Sequence, residues 1–405
     1  MGATRRLVLG SGLSAAAGFT STTARAAGPA PVRIGVLNDQ SGPYSSFTGA
    51  GSVAAARMAV KDFGPTVLGR PIEVMVADHQ NKVDIGTGIA REWCDTGGVG
   101  LIVDVGHSAV ALGVQQIVRE KDRIAIYTSV GTTQITEQAC SPNGFSWCYD
   151  AYALSNGLSG ATARKGMDSW FMIVTDYAFG HSLQEELTAA VKRNGGRVLG
   201  AVRHPEHTSD FSAYILQALS SGAKVLGLLN SGQDMVNSLK QATEFGFGEN
   251  GKQIAAPLVF ITDVHAMGLE AARGLTFMTA FYWDRTDATR RFSERFFAQQ
   301  RAMPSMAQAA VYSGTLHYLK SIAAAGTAET GSALAAMRAN RVRDFYAEDG
   351  WLRVDGRLMH DLYFVQVKAP AESKRPWDYY KVLSAVLADQ AFRPLSESKC
   401  PLARS

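Results

Sequence analysis

The residues with the clearest chemical potential lie around Ser108, directly after a predicted strand. Gly106-His107-Ser108-Ala109-Val110 places a serine between a strand and a helix, as in a nucleophile elbow, but the second glycine of that motif is missing. His204 and His207 have a spacing that two metal ligands can share, yet no clear third ligand accompanies them. The chain contains neither HExxH nor GxSxG. We therefore predict no catalytic residue and no metal site, and interpret Ser108 as a helix cap that also contacts a ligand.

The ends of the other predicted strands are also polar or aromatic. They occupy residues 41–47, 107–108, 128–133, 176–180, 230–233 and 262–265. These segments are rich in hydroxyl groups, glycines and rings, but they contain no paired acids and no activated nucleophile. Because ligands of open α/β sheets bind beyond the carboxyl ends of the strands, the pattern predicts a binding site.

A glycine motif near residue 49 raises the question of a nucleotide cofactor. Gly49-Ala50-Gly51-Ser52-Val53-Ala54 matches G-x-G-x-x-A, and Asp78 follows the next strand. The dinucleotide fingerprint needs its first glycine directly after the strand, whereas eleven residues, 38–48, intervene here. We therefore predict no cofactor, and interpret the motif as a helix start whose free N–H groups face a ligand anion.

The elements that position these segments are apolar strands alternating with helices. Strands are predicted at residues 32–37, 72–77, 100–105, 124–127, 169–175, 197–203, 225–229 and 257–261, with later extended runs at 275–283 and 362–368. Helices are predicted between them, at residues 51–63, 85–96, 109–121, 181–194, 211–221 and 235–245. Nearly continuous apolar strands with helical connections predict an α/β fold with parallel sheets covered on both faces.

A turn-rich segment at residues 140–144 interrupts this series, which resumes after a long helix. We therefore predict two α/β lobes with several crossovers between them. Residues 1–26 form an export signal, residues 27–148 and 278–361 form lobe one, and residues 149–277 and 362–405 form lobe two.

The export signal is predicted from three features of the N-terminus. Arg5 and Arg6 precede a short apolar run to Phe19, and Ala24-Arg25-Ala26 matches a typical signal-peptide cleavage site. The paired arginines also fit the twin-arginine route, although a general secretory signal starts with positive charge too. We expect a cleaved, mature chain that begins near Ala27 and works outside the cytoplasmic membrane.

Charge and hydropathy exclude two classes of partner. The chain has a formal net charge of +4, but three arginines belong to the predicted signal, which leaves the mature chain nearly neutral. No basic stripe interleaved with aromatic residues follows, so we predict no nucleic-acid binding. The mature chain has no second apolar stretch of about 18 residues, so we also predict no membrane span.

The cysteines Cys94, Cys140, Cys148 and Cys400 predict disulfide bonds, because their number is even and the chain is exported. Cys140 and Cys148 flank a turn-rich segment that can bring them together, and we expect this pair to be bonded. Cys94 with Cys400 is the remaining pairing. Metal binding is the rival role, but no CxxC pattern accompanies these residues.

Taken in order, several segments resemble the periplasmic solute-binding proteins of ABC importers, of the leucine/isoleucine/valine-binding family. The resemblance runs from about residue 32 to residue 368. The segments that carry it are Ile34-Gly35-Val36-Leu37, Ser41-Gly42-Pro43-Tyr44, Gly49, Asp78-His79-Gln80-Asn81-Lys82, Ser108-Ala109-Val110-Ala111, Thr175-Asp176-Tyr177-Ala178-Phe179-Gly180 and Thr208-Ser209-Asp210-Phe211. It implies a type I periplasmic binding fold, in which two Rossmann-like lobes joined by hinge strands close over a solute. It also implies a periplasmic monomer without a cofactor, whose partner is an ABC permease of the inner membrane.

The resemblance also implies roles for individual residues. Ser108 and Thr132, with the backbone near Val130, correspond to the groups that hold the ligand's carboxylate, and Asp263 corresponds loosely to an acid that takes its ammonium group. Phe47 and Phe179 correspond to aromatic residues of the two lobes. The further ligand-binding residues that we predict are His107, Tyr177, Asn230 and Trp283. Trp283 also fits a second interpretation, as part of a packed hinge strand.

The ligand expected from this resemblance is a small carboxylate, an amino acid of the branched-chain kind or a near relative. An aromatic carboxylate such as a benzoate or cinnamate is the alternative, because several rings could line a flat slot. Two further hypotheses are a solute sensor for a membrane receptor and a secreted enzyme.

Overall fold

The computed structural model describes Gly2, residues 29–248 and residues 251–404. Except for Gly2, the predicted export signal and its paired arginines therefore lie outside the described residues. None of the described helices combines the length and the apolar character that a membrane crossing needs.

The first lobe is built on a mostly parallel sheet. In chain order its elements are β1 (Val32–Asn38), α1 (Gly49–Phe63), β2 (Thr66–Val67), β3 (Arg70–Asp78), α2 (Val83–Asp95), β4 (Val99–Asp104), α3 (Ser108–Glu120), β5 (Ile124–Tyr127) and β6 (Gly144–Ser146). The strand order is β2-β3-β1-β4-β5-β6, and only β2 runs antiparallel to its neighbour. The central strands are apolar and almost wholly buried because helices cover both faces of the sheet.

The second lobe repeats this architecture on a smaller sheet. Its elements are α4 (Ala151–Ala163), β7 (Ser169–Thr175), α5 (Ala178–Arg193), β8 (Arg197–His204), α6 (Ser212–Ser220), β9 (Val225–Leu229), α7 (Gly232–Glu244), β10 (Gln253–Ala255), α8 (Ile261–Met267) and α9 (Leu269–Ala272). All four strands are parallel, in the order β10-β9-β7-β8. The predicted α/β class with parallel sheets is confirmed.

The rest of the chain begins a small antiparallel sheet, returns to the first lobe and then completes that sheet. Its elements are β11 (Thr276–Thr279), α10 (Asp287–Gln300), α11 (Met306–Ala325), α12 (Thr330–Ala339), β12 (Trp351–Leu352), β13 (Leu358–Met359), β14 (Leu362–Val367), β15 (Tyr380–Val386) and α13 (Ala388–Ala391). β12 and β13 form a hairpin, and β11, β14 and β15 form the antiparallel sheet. The residue boundaries of the two lobes remain a prediction.

Small residues allow α11 to pack closely against α1. The buried face of α1 consists mainly of glycine, serine and alanine, and a Cβ on Gly51 would lie 2.2 Å from the Gln308 side chain. Across this close contact, Gln308 Nε2 donates a hydrogen bond to the carbonyl oxygen of Thr48 at 3.0 Å. Ser305 donates to the carbonyl of Phe47 at 2.7 Å. The returning chain therefore anchors the loop that carries Phe47.

Two predicted extended runs differ from the structure. Residues 257–261 are not a strand: β10 ends at Ala255, and α8 begins at Ile261. Pro257 has no N–H to continue the ladder with β9. The run at 275–283 is a strand only over β11, and β15 was not predicted.

The predicted Cys140–Cys148 disulfide is wrong. Cys140 is bonded to Cys400 with a Cα–Cα distance of 5.7 Å, so the alternative pairing of Cys94 with Cys400 is also wrong. The segment between Cys140 and Cys148 contains β6, which pairs with β5 and carries Cys148 into the core. The Cys148 thiol lies 3.7 Å from the carbonyl oxygen of Met306, and Cys94 and Cys148 are both free and buried.

Candidate functional site

The carboxyl ends of the central strands of the two lobes face each other. The loops after β1, β4 and β5 meet the loops after β7 and β9 around a narrow cavity, which its own lining nearly fills and which keeps a free volume of about 10 Å³. Phe47 and Ser108 line it from the first lobe, and Tyr177, Phe179 and Ser231 line it from the second. That space holds about one water molecule, so the cavity has no room for a solute in this arrangement of the lobes.

Ser108 lines the cavity at its polar end, and Thr132 lies beside Ser108 without lining the cavity itself. Ser108 is the first residue of α3, and Thr132 precedes a single 3₁₀ turn, Thr133–Ile135. The Thr132 N–H donates to Ser108 Oγ at 3.3 Å, and Thr132 Oγ1 accepts from the Gln134 N–H at 3.4 Å. Both hydroxyl oxygens act as acceptors in these contacts, so each hydroxyl hydrogen can be donated to a ligand. Helix starts also favour negative charge, and this end of the cavity therefore suits an anion.

Asp104 organises the backbone and hydroxyl groups beneath this polar end. Its Oδ1 accepts from Thr128 Oγ1 at 2.7 Å and from Ser129 Oγ at 2.8 Å, and its Oδ2 accepts from Asn38 Nδ2 at 2.9 Å. Asp104 is fully buried, and burial raises the pKa of its carboxyl group. The sequence analysis missed this residue, although an acid that ends an otherwise apolar strand was an available signal.

Aromatic side chains from both lobes enclose the rest of the cavity. Phe47 stacks on Phe260 with ring centroids 3.9 Å apart and planes 7° from parallel. Phe179 covers Gly131 so closely that a Cβ at this position would lie 2.5 Å from its ring. Tyr149 also lines the cavity and meets Phe260 edge-on at 6.1 Å. The predicted residues Phe47 and Phe179 therefore both reach the cavity, from opposite lobes.

Two polar contacts join the lobes beside the cavity. The hydroxyl groups of Tyr44 and Tyr177 are 2.7 Å apart, and His107 Nε2 lies 3.2 Å from Glu206 Oε1. His107 also stacks on Tyr177 at 4.5 Å. Its Nδ1 accepts from the N–H of Val110, so Nε2 carries the proton and donates to Glu206. Burial raises the pKa of both tyrosines and keeps their phenol groups neutral.

Two predicted side chains are engaged elsewhere. Asn230 is fully buried in the second lobe, where its Nδ2 donates to Ser238 Oγ at 3.1 Å. Trp283 donates from Nε1 to the carbonyl of Trp377 at 2.7 Å, beside the antiparallel sheet. Neither residue lines the interlobe cavity.

Val130 and Asp263 lie near the cavity, but their side chains do not line it. The Val130 side chain packs in the core of the first lobe, while its neighbours Ser129 and Gly131 line the cavity. Asp263 is in the first turn of α8, where its Oδ2 accepts from the N–H of Phe260 at 2.9 Å. Burial raises the pKa of Asp263 to about 7.

The residues that line the cavity include no charged side chain. Within residues 29–248 and 251–404, no three His, Cys, Asp or Glu side chains converge as a metal site would require. The arrangement therefore offers hydroxyl donors and rings to a ligand.

Comparisons with known proteins agree with this architecture. A family model described as periplasmic binding protein matches residues 31–374. A periplasmic binding protein from Burkholderia mallei is 45% identical, with a TM-score of 0.90 over 92% of this chain and 99% of that one. A branched-chain amino acid ABC transporter periplasmic ligand-binding protein from Burkholderia xenovorans is 37% identical, with a TM-score of 0.83 over 92% of this chain and all of that one.

A curated relative from Brucella melitensis, described as Leu/Ile/Val-binding protein homolog 6, is 26% identical over 260 residues. The match covers 63% of this chain and 66% of the Brucella protein, which is just under two thirds of the relative's length.

Proposed function

The chain belongs to the periplasmic binding protein family, and from this premise we propose that it captures a small carboxylate solute for an ABC importer. The family and the type I periplasmic binding fold that the sequence predicted are both confirmed. The identity of the solute and the roles of the individual site residues belong to the proposal.

The observation that carries the proposal is the paired polar end formed by Ser108 and Thr132. The hydroxyl groups of Ser108 and Thr132 lie close together there, at the start of α3, and Ser108 lines the cavity. Hydrogen bonds to an ionised acceptor are stronger than neutral ones, and they gain strength in a buried site. A carboxylate would therefore bind more strongly at this position than a neutral group would.

The first candidate for the solute is a branched-chain amino acid or a near relative, the class named for the Burkholderia xenovorans protein. Asp263 is the predicted partner of the ammonium group. Only one of its carboxylate oxygens is used to cap α8, so the other is available to pair with an ammonium group after a modest local shift.

An aromatic carboxylate is the second candidate, and it is favoured by the uncharged lining of the cavity. Burying an ammonium group without a charged partner is unfavourable, whereas a ring can stack between Phe47, Tyr149 and Phe179. A carboxylate without an ammonium group avoids the cost of burying that charge.

We further propose that the two lobes separate to admit the solute. The contacts of Tyr44 with Tyr177 and of His107 with Glu206 cross the cleft beside the cavity. The solute would bind the open form and shift the population toward the closed form. The proposed partner is the inner-membrane permease of the importer, reached by export of the chain to the periplasm; a sensor would use the same binding chemistry with a different membrane partner. We expect no enzymatic activity, because both ring nitrogens of His107, the base nearest to Ser108, are already used in contacts with Val110 and Glu206.

Titration calorimetry can test this function and separate the two ligand classes. The purified protein would be titrated with leucine, isoleucine and valine, with 4-methylpentanoate, which is leucine without its amino group, and with benzoate. We expect at least one of these carboxylates to bind more tightly than about 100 μM. Tighter binding of leucine than of 4-methylpentanoate would identify an amino-acid site with an ammonium partner, and the reverse order would identify the alternative class. No binding by any member, or equal binding of the corresponding amides, would contradict the proposal.

A further inference from the structure

A second, larger concavity lies in the second lobe, away from the cleft. It is an open groove of about 590 Å³ between the end of α7, the start of β10, α8, α9 and the residues before β11. Gln253 and Ile254, at the amino end of β10, line it, whereas the interlobe cavity lies beyond the carboxyl ends of the strands. α7 begins at Gly232 beside the cleft and ends at Glu244 near the groove, so roughly one helix length separates the two sites.

The floor of the groove is apolar. Ile254, Met267 and Leu275, each 7–8% exposed, present its surface, and Leu239 and Phe247 are packed behind them in the core. The side chains are contributed by several elements and pack into the core of the second lobe, which makes the floor a stable surface. An apolar tail placed on it would be removed from water, which stabilises the bound state by about 0.8 kcal/mol for each CH₂ group.

The rim of the groove is cationic. Among the described residues that line it, Lys165, Lys252 and Arg273 are basic and Glu270 is the one acid, which pairs with Arg273 at 2.8 Å. Within the described residues, neither Lys165 nor Lys252 has an ion-pair partner. The Lys252 ammonium group lies 5.3 Å from the centre of the Phe247 ring, so a positive charge stands directly above the apolar floor.

We propose that this groove is a second binding site, which takes a small amphipathic anion with a linear apolar tail, such as a free medium-chain carboxylate. The apolar floor binds the tail, and the two unpaired lysines bind the anionic head at the rim. The apolar floor is complementary to the tail of such a molecule, and the positive charge at the rim is complementary to its anionic head. The groove shares no lining residue with the interlobe cavity, so this proposal does not depend on the solute that the cleft binds.

The test titrates the purified protein with hexanoate, octanoate and decanoate below their micelle concentrations. We expect the affinity to increase about fourfold with each added CH₂ group, which is 0.8 kcal/mol converted to a ratio. Decyltrimethylammonium, which has the same tail and the opposite charge, should bind at least about tenfold more weakly than decanoate. An affinity that does not depend on chain length would contradict the apolar floor.

Variants locate the site. Lys165→Glu/Lys252→Glu reverses both unpaired rim charges and should weaken decanoate binding at least about tenfold. The control Lys192→Glu/Lys320→Glu makes the same change in net charge on exposed faces of α5 and α11 and should leave the affinity unchanged.

A double variant of the cleft, Ser108→Ala/Thr132→Val, separates this proposal from the function proposed above. Decanoate binding should persist in this variant while binding of the cleft solute is weakened. If decanoate binding is lost in the cleft variant and retained in Lys165→Glu/Lys252→Glu, the anion binds in the cleft and the proposal is wrong. An absence of measurable decanoate binding at millimolar concentration would also overturn it.

Discussion

Tyr44 and Tyr177 place their hydroxyl groups 2.7 Å apart although they belong to opposite lobes. Tyr44 lies in the loop after β1, and Tyr177 directly precedes α5, so the contact crosses the cleft beside the cavity. Gly232 reinforces this approach: a Cβ at this position would lie 2.5 Å from the carbonyl oxygen of Pro43. The closed arrangement therefore rests partly on direct contacts between the lobes.

Removing the Tyr177 hydroxyl should favour the open form. Tyr177→Phe deletes one partner of the buried hydrogen bond, which is worth about 1 kcal/mol, or roughly a fivefold loss of solute affinity through the lower closed population. Calorimetry measures the affinity, and small-angle X-ray scattering should show a larger radius of gyration without solute. Tyr214→Phe in the same lobe is the control. Unchanged affinity and size would show that the contact does not influence closure.

The carboxylate should lose a strong hydrogen bond in Thr132→Val. This change keeps the shape of the side chain and removes a donor, so we expect carboxylate affinity to fall by ~1–3 kcal/mol. Titration with the solute and with its amide measures the effect, and the loss should be smaller for the amide. Thr96→Val, at the exposed end of α2, is the control. An equal loss for both ligands would assign Thr132 a purely structural role.

Asp104→Asn should damage the polar end of the site without touching the solute. The amide can accept hydrogen bonds from Thr128 and Ser129 through its oxygen, but its NH₂ group then faces the Asn38 donor. A buried, unsatisfied donor costs about 1–3 kcal/mol, so the free energy of unfolding should fall by this amount and solute affinity should fall with it. Urea denaturation and calorimetry measure the two effects. Wild-type values in both experiments would mean that the network tolerates the mismatch.

Loss of the Cys140–Cys400 disulfide should lower the free energy of unfolding by about 2–5 kcal/mol, because the bond restricts the unfolded chain. Cys400→Ser removes it, and guanidinium denaturation measures the change. Cys94→Ala, which leaves the bond intact, is the control. Peptide mapping under non-reducing conditions checks the pairing directly, and a peptide linking Cys140 to Cys148 would contradict the structure.

The buried carboxyl group of Asp263 predicts a specific pH dependence. Its pKa is raised from 3.8 to about 7 in the folded protein, so the folded state binds this proton more tightly than the unfolded state. Its contribution to stability is fully present below about pH 4 and is lost as the pH rises to about 7. We therefore expect wild-type stability, relative to Asp263→Asn, to increase on acidification across this window. Urea denaturation at pH 8, 6 and 4 measures the difference, and a difference that does not vary with pH would contradict the shift.

The sequence was informative wherever a local pattern has one structural solution. Apolar strands alternating with helices predicted parallel sheets, and several of the predicted strand-end segments border the interlobe cavity. Ser108 and Phe179 were identified because each follows such a strand. Glu206 and Tyr44 were not predicted as site residues, since their partners, His107 and Tyr177, lie 99 and 133 positions away in the sequence.

The cysteines show most clearly which features could not be predicted from the sequence. Cys140 and Cys148 are close in sequence, but an intervening strand separates them, while Cys400 arrives from 260 residues away. Asp263 is a similar case, because the hydrogen bond by which it caps α8 was not predicted from the sequence, while its role toward a ligand stays a prediction.

By itself, therefore, the sequence determined the fold class, the family and the loops that border the interlobe cavity, because side-chain periodicity and strand-end chemistry are local properties. Tertiary structure alone decided the disulfide pairing, the contacts that bridge the lobes, and which side chains reach the cavity. Those features depend on how distant segments pack, and a hydrogen bond or covalent bond between them forms only where the closed chain brings the two atoms together.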